Sequence, residues 1–512
     1  MKYIFILMIG LLFHLNTIGQ TISNKKKTSL IPHHEVPSGK IKTGAKIQVF
    51  IEGATANDSL ILKFHQNVVS PSHLAFTPHF KKVVRADKDG FFKFDIPVSD
   101  KPGYISLLKD KFEFPDHLPL LNLFLIEPGD NITLKMRKEA PTSLKSQYEG
   151  CFNDEYFVWL NKYRDFNYKF SGIGSEKFKA RYAIDVSCSM MDSDYDTDYR
   201  LRNSLTLLEI YKERMSAKAY HLLKADLFGK YKFNVMENLL YIGRASTSMR
   251  KLSPEKKIKK MNADELIAAV ADEELAISAY YPEYLLMKEH YKRDSVLKNS
   301  GISMYKQIKN SYGNELQQRL ITTHFLNSSS NSKTTQTDLP DALTIVKDPI
   351  YRQILQDCYK AVKPNSSAPE FEFMNEKNQP VKLSDFRGKV VLIDFWFTGC
   401  TGCALLYKHK ISHLEEKYKN NKDLVFVSIS ADRDHKTWNK GLQSGNYTSA
   451  LAVNLLVGEK GLFHPTLYDF GIRGGLPHLT LIDKDGKILN NTLGTATKEE
   501  LTDQIEIALS KK

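Results

Sequence analysis

One short stretch near the C-terminus constrains this chain more than any other. Residues 390–396 read Val-Val-Leu-Ile-Asp-Phe-Trp, an apolar run with a single acid, Asp394. Such a run is typical of a strand that is buried on both faces of a parallel sheet. Residues 397–403 follow as Phe-Thr-Gly-Cys-Thr-Gly-Cys, and a helical pattern comes next. The sequence therefore predicts an α/β domain in which Cys400 and Cys403 lie where a strand leads into a helix.

This position predicts a reactive thiol at Cys400. The unpaired N–H groups and the dipole at a helix N-terminus favour a thiolate over a thiol. Cys403 lies one turn later inside the predicted helix, within reach of a mixed disulfide formed on Cys400. We therefore expect dithiol–disulfide exchange, in which Cys400 attacks a target disulfide and Cys403 releases the product.

Further motifs flank the cysteine pair in a fixed order. They are Pro-Glu-Phe at 369–371 with Val-Lys-Leu-Ser-Asp-Phe-Arg-Gly-Lys at 381–389, the apolar run 424–430 with Asp432 and Trp438 after it, segment 468–477 ending in Pro477, and a strand with a hairpin turn at 479–486. Together with the spacing of Asp394, Cys400 and Cys403, this series resembles the TlpA/ResA-like branch of the thioredoxin-family thiol–disulfide oxidoreductases. The resemblance covers about residues 368–510 and implies a C-terminal α/β thioredoxin fold, assigned here to residues 368–512.

The resemblance implies a role for each residue of the redox centre. Cys400 would be the nucleophile, Cys403 the resolving thiol, and the two would form the redox disulfide. Asp394 matches the buried acid that exchanges a proton with the second cysteine, and burial is expected to raise the pKa of such a carboxyl.

The resemblance also implies a substrate-binding surface. Pro477 matches a cis-proline that lies against the cysteine pair and binds the substrate backbone. Leu476 and His478 beside it are assigned to the same surface, as is Trp396.

Three features around the cysteine pair depart from the family pattern. Gly399 stands where a Trp usually precedes the first cysteine, and Thr401-Gly402 replaces the usual Gly-Pro or Pro-Pro. Residues 404–408 lack the common Arg-x-x-x-Pro. Residues between and beside the cysteines tune thiol acidity, so the direction of electron transfer stays open at this stage.

The rest of the chain divides by pattern into four segments. Residues 1–19 combine Lys2, a short apolar run and small residues at cleavage spacing, which predicts a signal peptide and export; an uncleaved anchor is the alternative. Residues 40–140 alternate like an antiparallel all-β sandwich, and they resemble a β-sandwich module of unknown function that precedes thioredoxin domains. Residues 150–325 have helical periodicity, and residues 326–367 read as a polar linker with a short helix.

Charge and cysteine content limit the partners and cofactors. Of the net charge of +13, +12 lies before residue 369, because residues 369–512 carry nearly equal numbers of basic and acidic side chains. On an exported chain this charge does not indicate nucleic acid. A zinc site needs four ligands, and Cys151, Cys188 and Cys358 are isolated, so no metal is expected. No organic cofactor is expected either. Cys151 and Cys188 could pair, although buried free thiols are favoured for all three.

The sequence thus predicts an exported thiol–disulfide oxidoreductase, acting as a reductant in the periplasm or cell envelope. Its partners would be protein thiol or disulfide substrates and an electron donor on the membrane side. Some members of the family reduce apocytochrome c, but nothing here selects that substrate. The alternative is an envelope binding or scaffold protein whose thioredoxin domain is a structural module.

Overall fold

The described residues fall into two compact units, one on each side of the boundary between Leu320 and Ile321. A computed structural model describes residues 44–71, 80–109, 119–138, 166–189, 197–237, 270–297, 301–327, 333–363, 365–473, 475–491 and 493–511. Among these residues no helix is both long enough and apolar enough to cross a membrane.

The N-terminal unit contains two four-stranded sheets. Its strands are β1 (Ala45–Ile51), β2 (Ser59–His65), β3 (Phe80–Arg85), β4 (Phe91–Ile96), β5 (Gly103–Lys109), β6 (Leu121–Ile126), β7 (Asn131–Lys138) and β8 (Phe166–Ile173). One sheet has the order β4-β1-β7-β8 and the other β3-β2-β5-β6. Apolar side chains of both sheets form one hydrophobic core, as the alternating pattern of the strands predicts.

Two features of these sheets differ from the sequence-based expectation. Strand β8 lies within residues 150–325, which were predicted to be helical, and it pairs with β7. Its alternation places Tyr168 and Phe170 in the core, each with 4% of its surface exposed, so the period of two residues in this segment indicates a strand rather than a helix. In addition, β1 and β7 pair in parallel, so the predicted purely antiparallel arrangement is wrong there.

Helices follow β8 in the N-terminal unit. They are α1 (Ser175–Ser189), α2 (Thr197–Tyr211), α3 (Ala217–Glu237), α4 (Asp272–Ile277), α5 (Tyr281–Ser295), α6 (Met304–Ser311) and α7 (Asn314–Asn327), the last of which contains the unit boundary. The sheets and helices share buried polar contacts. Asp226 on α3 accepts hydrogen bonds from the Tyr104 hydroxyl on β5, at 2.9 Å, and from the Ser278 hydroxyl, at 2.6 Å. The predicted β and helical domains therefore form one compact unit.

The C-terminal unit begins with helices where a linker was predicted. Helix α8 (Lys333–Ile345) starts within the polar stretch, and α9 (Pro349–Val362) follows it. The two helices pack against each other. The Asp348 side chain caps α9 by accepting hydrogen bonds from two backbone N–H groups, and Pro349 occupies its first turn. Residues 333–345, which the sequence assigns to the polar part of a linker with one short helix, are therefore helical.

A seven-stranded sheet forms the centre of this unit. Its strands are β9 (Glu372–Asn375), β10 (Pro380–Lys382), β11 (Val390–Trp396), β12 (Leu424–Ser430), β13 (Val453–Leu456), β14 (His478–Ile482) and β15 (Ile488–Asn490), in the order β10-β9-β13-β12-β11-β14-β15. Strand β11 is central, with β12 parallel on one side and β14 antiparallel on the other. This mixed sheet is the thioredoxin fold that the motifs imply.

Helices cover both faces of the sheet. Helix α10 (Thr401–Leu406) continues through a π-helical turn (Tyr407–Ile411) into α11 (Ser412–Tyr418), and the remaining helices are α12 (His435–Ser444), α13 (Pro465–Asp469) and α14 (Lys498–Ser510). Alternate residues of β11 enter different cores. Val390 and Leu392 pack with the helix that follows the cysteines, whereas Val391 and Ile393 pack on the opposite face.

Candidate active site

Cys400 and Cys403 form a disulfide at the N-terminal end of α10. Cys400 is the N-cap residue, and its Sγ accepts a hydrogen bond of 3.1 Å from the backbone N–H of Cys403. Cys400 keeps 7% of its surface exposed, against 1% for Cys403. The first sulfur is therefore the more accessible of the two, and a helix N–H group already points at it, as the sequence predicts.

The turn before Cys400 is held by three hydrogen bonds, two to Asp432 and one to Tyr447. The Thr398 backbone N–H and hydroxyl both donate to the Asp432 carboxylate, at 3.1 and 2.7 Å. The Gly399 N–H donates to the Tyr447 hydroxyl oxygen at 2.9 Å. Gly399 has a φ of +96°, in the region that favours glycine. A glycine at this position therefore lets the chain turn from the end of β11 into α10.

The loop before β14 lies against the disulfide. The Leu476–Pro477 peptide bond is cis, as the resemblance implies. The Leu476 carbonyl oxygen is 3.8 Å from the Cys400 sulfur. A Cβ added to Gly402 would lie 3.1 Å from Pro477 Cδ, so the backbone between the cysteines touches the proline ring. Leu476 and Pro477 are both half-buried, and an incoming chain can reach them.

Asp394 lies on the face of β11 that the cysteine-bearing helix covers. Leu392 and Trp396, each two residues from Asp394, lie on this same face of the strand. Trp396 belongs to the same buried cluster as both cysteines. Only 5% of Asp394 is exposed, and its Oδ1 has no hydrogen-bond partner among the described residues. Burial, and secondarily the carboxyl of Glu415, hold the pKa of Asp394 well above its ordinary value. The expected direction of this shift is confirmed.

Two predicted substrate-binding residues are buried. Trp396 is 0% exposed, donates its indole N–H to the Ser428 hydroxyl at 2.7 Å and stacks on Tyr447. His478 is 2% exposed and bonds through Nε2 to the Asn491 side chain at 2.7 Å. Both side chains are therefore enclosed in the core, and contact of these two residues with a substrate would have to come from backbone atoms. The alternation of strand residues explains the burial in each case, because both side chains point into the core.

Sequence reasoning missed two residues around Asp394. Tyr447 packs in the same buried cluster as both cysteines, and Glu415 is buried on α11. Glu415 follows Leu414 in the apolar stripe that begins at Ile411. The sequence signal for Glu415 was its position within the apolar stripe of the helix, because a side chain at such a position faces the core.

One further cysteine side chain, that of Cys358, is described outside this centre. Cys358 on α9 is a buried free thiol, whose pKa is raised by burial. The side chains of Cys151 and Cys188, whose pairing was considered, lie outside the described part of the chain. Within that part, no three His, Cys, Asp or Glu side chains converge as a metal site.

Comparisons with known proteins match the same region. The Redoxin family model matches residues 363–505. The thiol–disulfide oxidoreductase ResA of Bacillus thuringiensis (strain Al Hakam) is 30% identical over 141 residues, which cover 26% of this chain and 72% of that protein. The thioredoxin-like protein YneN of Bacillus subtilis (strain 168) is 24% identical over 147 residues, which cover 28% of this chain and 81% of that protein.

Among solved structures, the thioredoxin domain of a thiol–disulfide oxidoreductase from Bacteroides vulgatus is 26% identical, with a TM-score of 0.25. The match covers 28% of this chain and 97% of that one. Sequence identity with ResA, the Redoxin match and the disulfide at the start of α10 agree with one another. Through its C-terminal unit, the chain belongs to the ResA-like family of thiol–disulfide oxidoreductases, and it is an enzyme of that class.

Proposed function

We propose that the Cys400–Cys403 pair reduces disulfides of protein substrates in the cell envelope. The observation that carries the proposal is the capping of α10 by Cys400, whose sulfur accepts the Cys403 N–H at 3.1 Å. The same donor stabilises negative charge on that sulfur when the pair is reduced. Cys400 is then the nucleophile, and the more deeply buried Cys403 is the resolving thiol.

The reaction has two steps that balance in atoms and electrons. The Cys400 thiolate attacks one sulfur of the target disulfide, forms a mixed disulfide and expels the other target sulfur as a thiolate. Cys403 then gives its proton to the Asp394 carboxylate, and its thiolate attacks the Cys400 sulfur. The second target sulfur leaves, the enzyme pair is oxidised and the target disulfide is reduced by two electrons.

The loop at Leu476 and Pro477 would hold the substrate backbone. Its proximity to both the Cys400 sulfur and the Gly402 backbone supports this role. The exposed apolar side chain of Leu405, which is 53% exposed on α10, adds to a surface suited to an unfolded or extended chain.

We infer the cellular place of the reaction from the N-terminal sequence. Lys2, the apolar run of residues 3–15 and the small residues Thr17 and Gly19 support export with removal of a signal peptide. An oxidised pair in that compartment needs a membrane-side electron donor to become reduced again. Cell fractionation and N-terminal sequencing of the secreted chain test this; a cytosolic protein that keeps Met1 would contradict it.

Trapping of the mixed disulfide tests the function directly. A reduced Cys403→Ser variant of the full chain is mixed with insulin, and the covalent product is identified by non-reducing electrophoresis and peptide mapping. We expect a Cys400–insulin disulfide that the Cys358→Ser control, with its intact pair, does not accumulate. Absence of the product from the Cys403→Ser variant would favour the scaffold alternative.

The direction of electron flow is tested by the reduction potential of the pair. A potential near about −270 mV, like that of thioredoxin, supports a reductant. A potential near about −120 mV would instead indicate an oxidant. Equilibration of the purified protein with glutathione buffers measures it.

A further inference from the structure

A second carboxyl shares the interior with Asp394. Asp394 on β11 and Glu415 on α11 line the same cavity of about 10 Å³, which is room for one water molecule. Both side chains are almost wholly buried, with 5% and 2% of their surfaces exposed. The Oδ1 atom of Asp394 has no hydrogen-bond partner in the described part of the chain. A buried polar atom beside a cavity of this size is a typical binding place for water.

Glu415 is anchored on its other side. Its Oε2 accepts a hydrogen bond from the Ser449 hydroxyl at 2.7 Å and another from the Tyr407 hydroxyl at 3.1 Å. Ser449 is half-exposed, so it connects the buried carboxyl with the surface. The Asn454 amide donates to the Ser449 carbonyl at 3.0 Å and fixes that segment.

The groups that face this pair are few and uncharged. Ser428 on β12 and Tyr447 and Thr448 before β13 complete the polar part of the cavity wall, and Tyr407 contacts Glu415 from the π-helical turn. Among the residues that the structure describes, no Lys or Arg lines the cavity. Two carboxyls in such a space without a cation do not both ionise easily, so they tend to share protons.

We propose that Glu415 is a positioning residue that couples to Asp394 and carries protons between Asp394 and the surface at Ser449. The inference rests on the proposed roles of Cys403 and Asp394. Before Cys403 can give up its proton, Asp394 has to be unprotonated. The Asp394 proton passes through a water molecule to the Glu415 carboxylate and leaves by the Ser449 side. Asp394 then accepts the Cys403 proton, and no atom or electron is left unbalanced.

A two-phase reaction with a small aromatic disulfide tests this relay. Reduced full-length protein is mixed with 5,5′-dithiobis(2-nitrobenzoic acid) in a stopped-flow instrument between pH 5 and 9. The first coloured thiolate reports attack by Cys400, and the second reports resolution by Cys403. The variants are Glu415→Gln and, as a matched control, Glu416→Gln, whose carboxyl is 65% exposed on the same helix.

We expect Glu415→Gln to leave the first phase within about twofold of wild type and to slow the second-phase plateau about tenfold. The pH at which the second phase rises should also fall by about one pH unit, because Asp394 loses a neighbouring negative charge. Both changes are required. A lower plateau without the pH shift, a pH shift without a lower plateau, or a profile equal to that of Glu416→Gln would overturn the relay.

Failure of the proposed function gives a different result. A wild-type protein without a second phase would contradict the roles of Cys403 and Asp394 themselves, and the relay with them. If Glu415→Gln does not fold, carboxyl-carbon NMR of the wild-type protein decides. The Asp394 signal should titrate in two steps, one of them shared with Glu415, and a single independent step would overturn the coupling.

Discussion

Tyr447 lies flat against Trp396, with 4.8 Å between the ring centroids and 1° between the ring planes. The hydroxyl oxygen of Tyr447 reaches past the indole to accept the Gly399 N–H. Tyr447 therefore braces the end of β11 and the turn that presents Cys400. In this chain the position directly before Cys400 carries no side chain, and the aromatic ring that supports the turn comes from a segment after α12.

The first prediction separates the two contacts of Tyr447. Tyr447→Phe keeps the ring on Trp396 but removes the acceptor for the Gly399 N–H, which should lower the free energy of unfolding by about 0.5–1.5 kcal/mol. Tyr447→Ala also removes the stacked ring and should cost about 3–5 kcal/mol. Urea denaturation measures both. Equal losses in the two variants would mean that the ring contributes nothing beyond its hydroxyl.

The second prediction concerns the conformation of Gly399. No atom lies within 4 Å of the position that a Cβ would take, so Gly399→Ala meets no clash. Its φ of +96° still disfavours any L-residue, and we expect a loss of about 1–2 kcal/mol. Gly475→Ala is the control, because its Cβ also enters open space and its φ lies outside the left-handed region. That control should stay within about 0.5 kcal/mol of wild type by thermal unfolding.

The sequence predicted the centre of the C-terminal unit well because its signals are local. The apolar run 390–396 coincides with β11, and the run 424–430 coincides with β12. The position of Cys400 at a helix start follows from the same local pattern, since a buried strand leads directly into the CxxC segment. Burial of Asp394 was predictable for that reason too.

What the sequence did not provide were the partners across space. Burial of Trp396 depends on Tyr447, and the surroundings of Asp394 depend on Glu415, each contributed by a distant part of the chain. The period of a strand tells which residues share a face but not which helix or loop covers that face. Burial of the His478 side chain was not predictable for this reason, because its partner Asn491 lies beyond the following hairpin.

The third prediction is the pH dependence of Asp394→Asn. The folded-state pKa of Asp394 is raised above its unfolded value, so the folded state favours the protonated carboxyl. This contribution is fully present below the unfolded pKa and is lost as pH rises through the folded pKa. Asparagine imitates the protonated form at every pH. The variant should therefore exceed wild type in stability by about 1–3 kcal/mol in alkaline buffer, with the difference shrinking towards pH 4.

Urea denaturation at several pH values measures this difference. Asp503→Asn serves as the control, because Asp503 is exposed on α14 and its substitution should leave stability within about 0.5 kcal/mol of wild type. If the stability difference for Asp394→Asn were the same at every pH, burial would not raise the pKa of the Asp394 carboxyl.

The fourth prediction uses the contact between the cysteine segment and the proline loop. Gly402→Ala places a methyl group 3.1 Å from Pro477 Cδ, so the loop has to move by a few tenths of an ångström. If the loop binds the substrate backbone, protein disulfides should be reduced about tenfold more slowly, whereas a small aromatic disulfide should react normally. Thr401→Ala, an exposed neighbour, is the control. Equal slowing of both kinds of disulfide would argue against substrate binding at Pro477.

The last prediction is the order in which three thiols of the reduced protein react. Cys400 is the most exposed of the three and caps α10, so it should be alkylated first by iodoacetamide. Cys403 and Cys358 are each 1% exposed, and burial raises the pKa of the Cys358 thiol, which disfavours its reactive thiolate. Peptide mapping after brief alkylation near pH 7 should find label on Cys400, with Cys358 modified only when the protein is unfolded. If Cys403 were labelled as fast as Cys400, the capping hydrogen bond would not be what distinguishes the two sulfurs, and the assignment of the nucleophile would lose its structural basis.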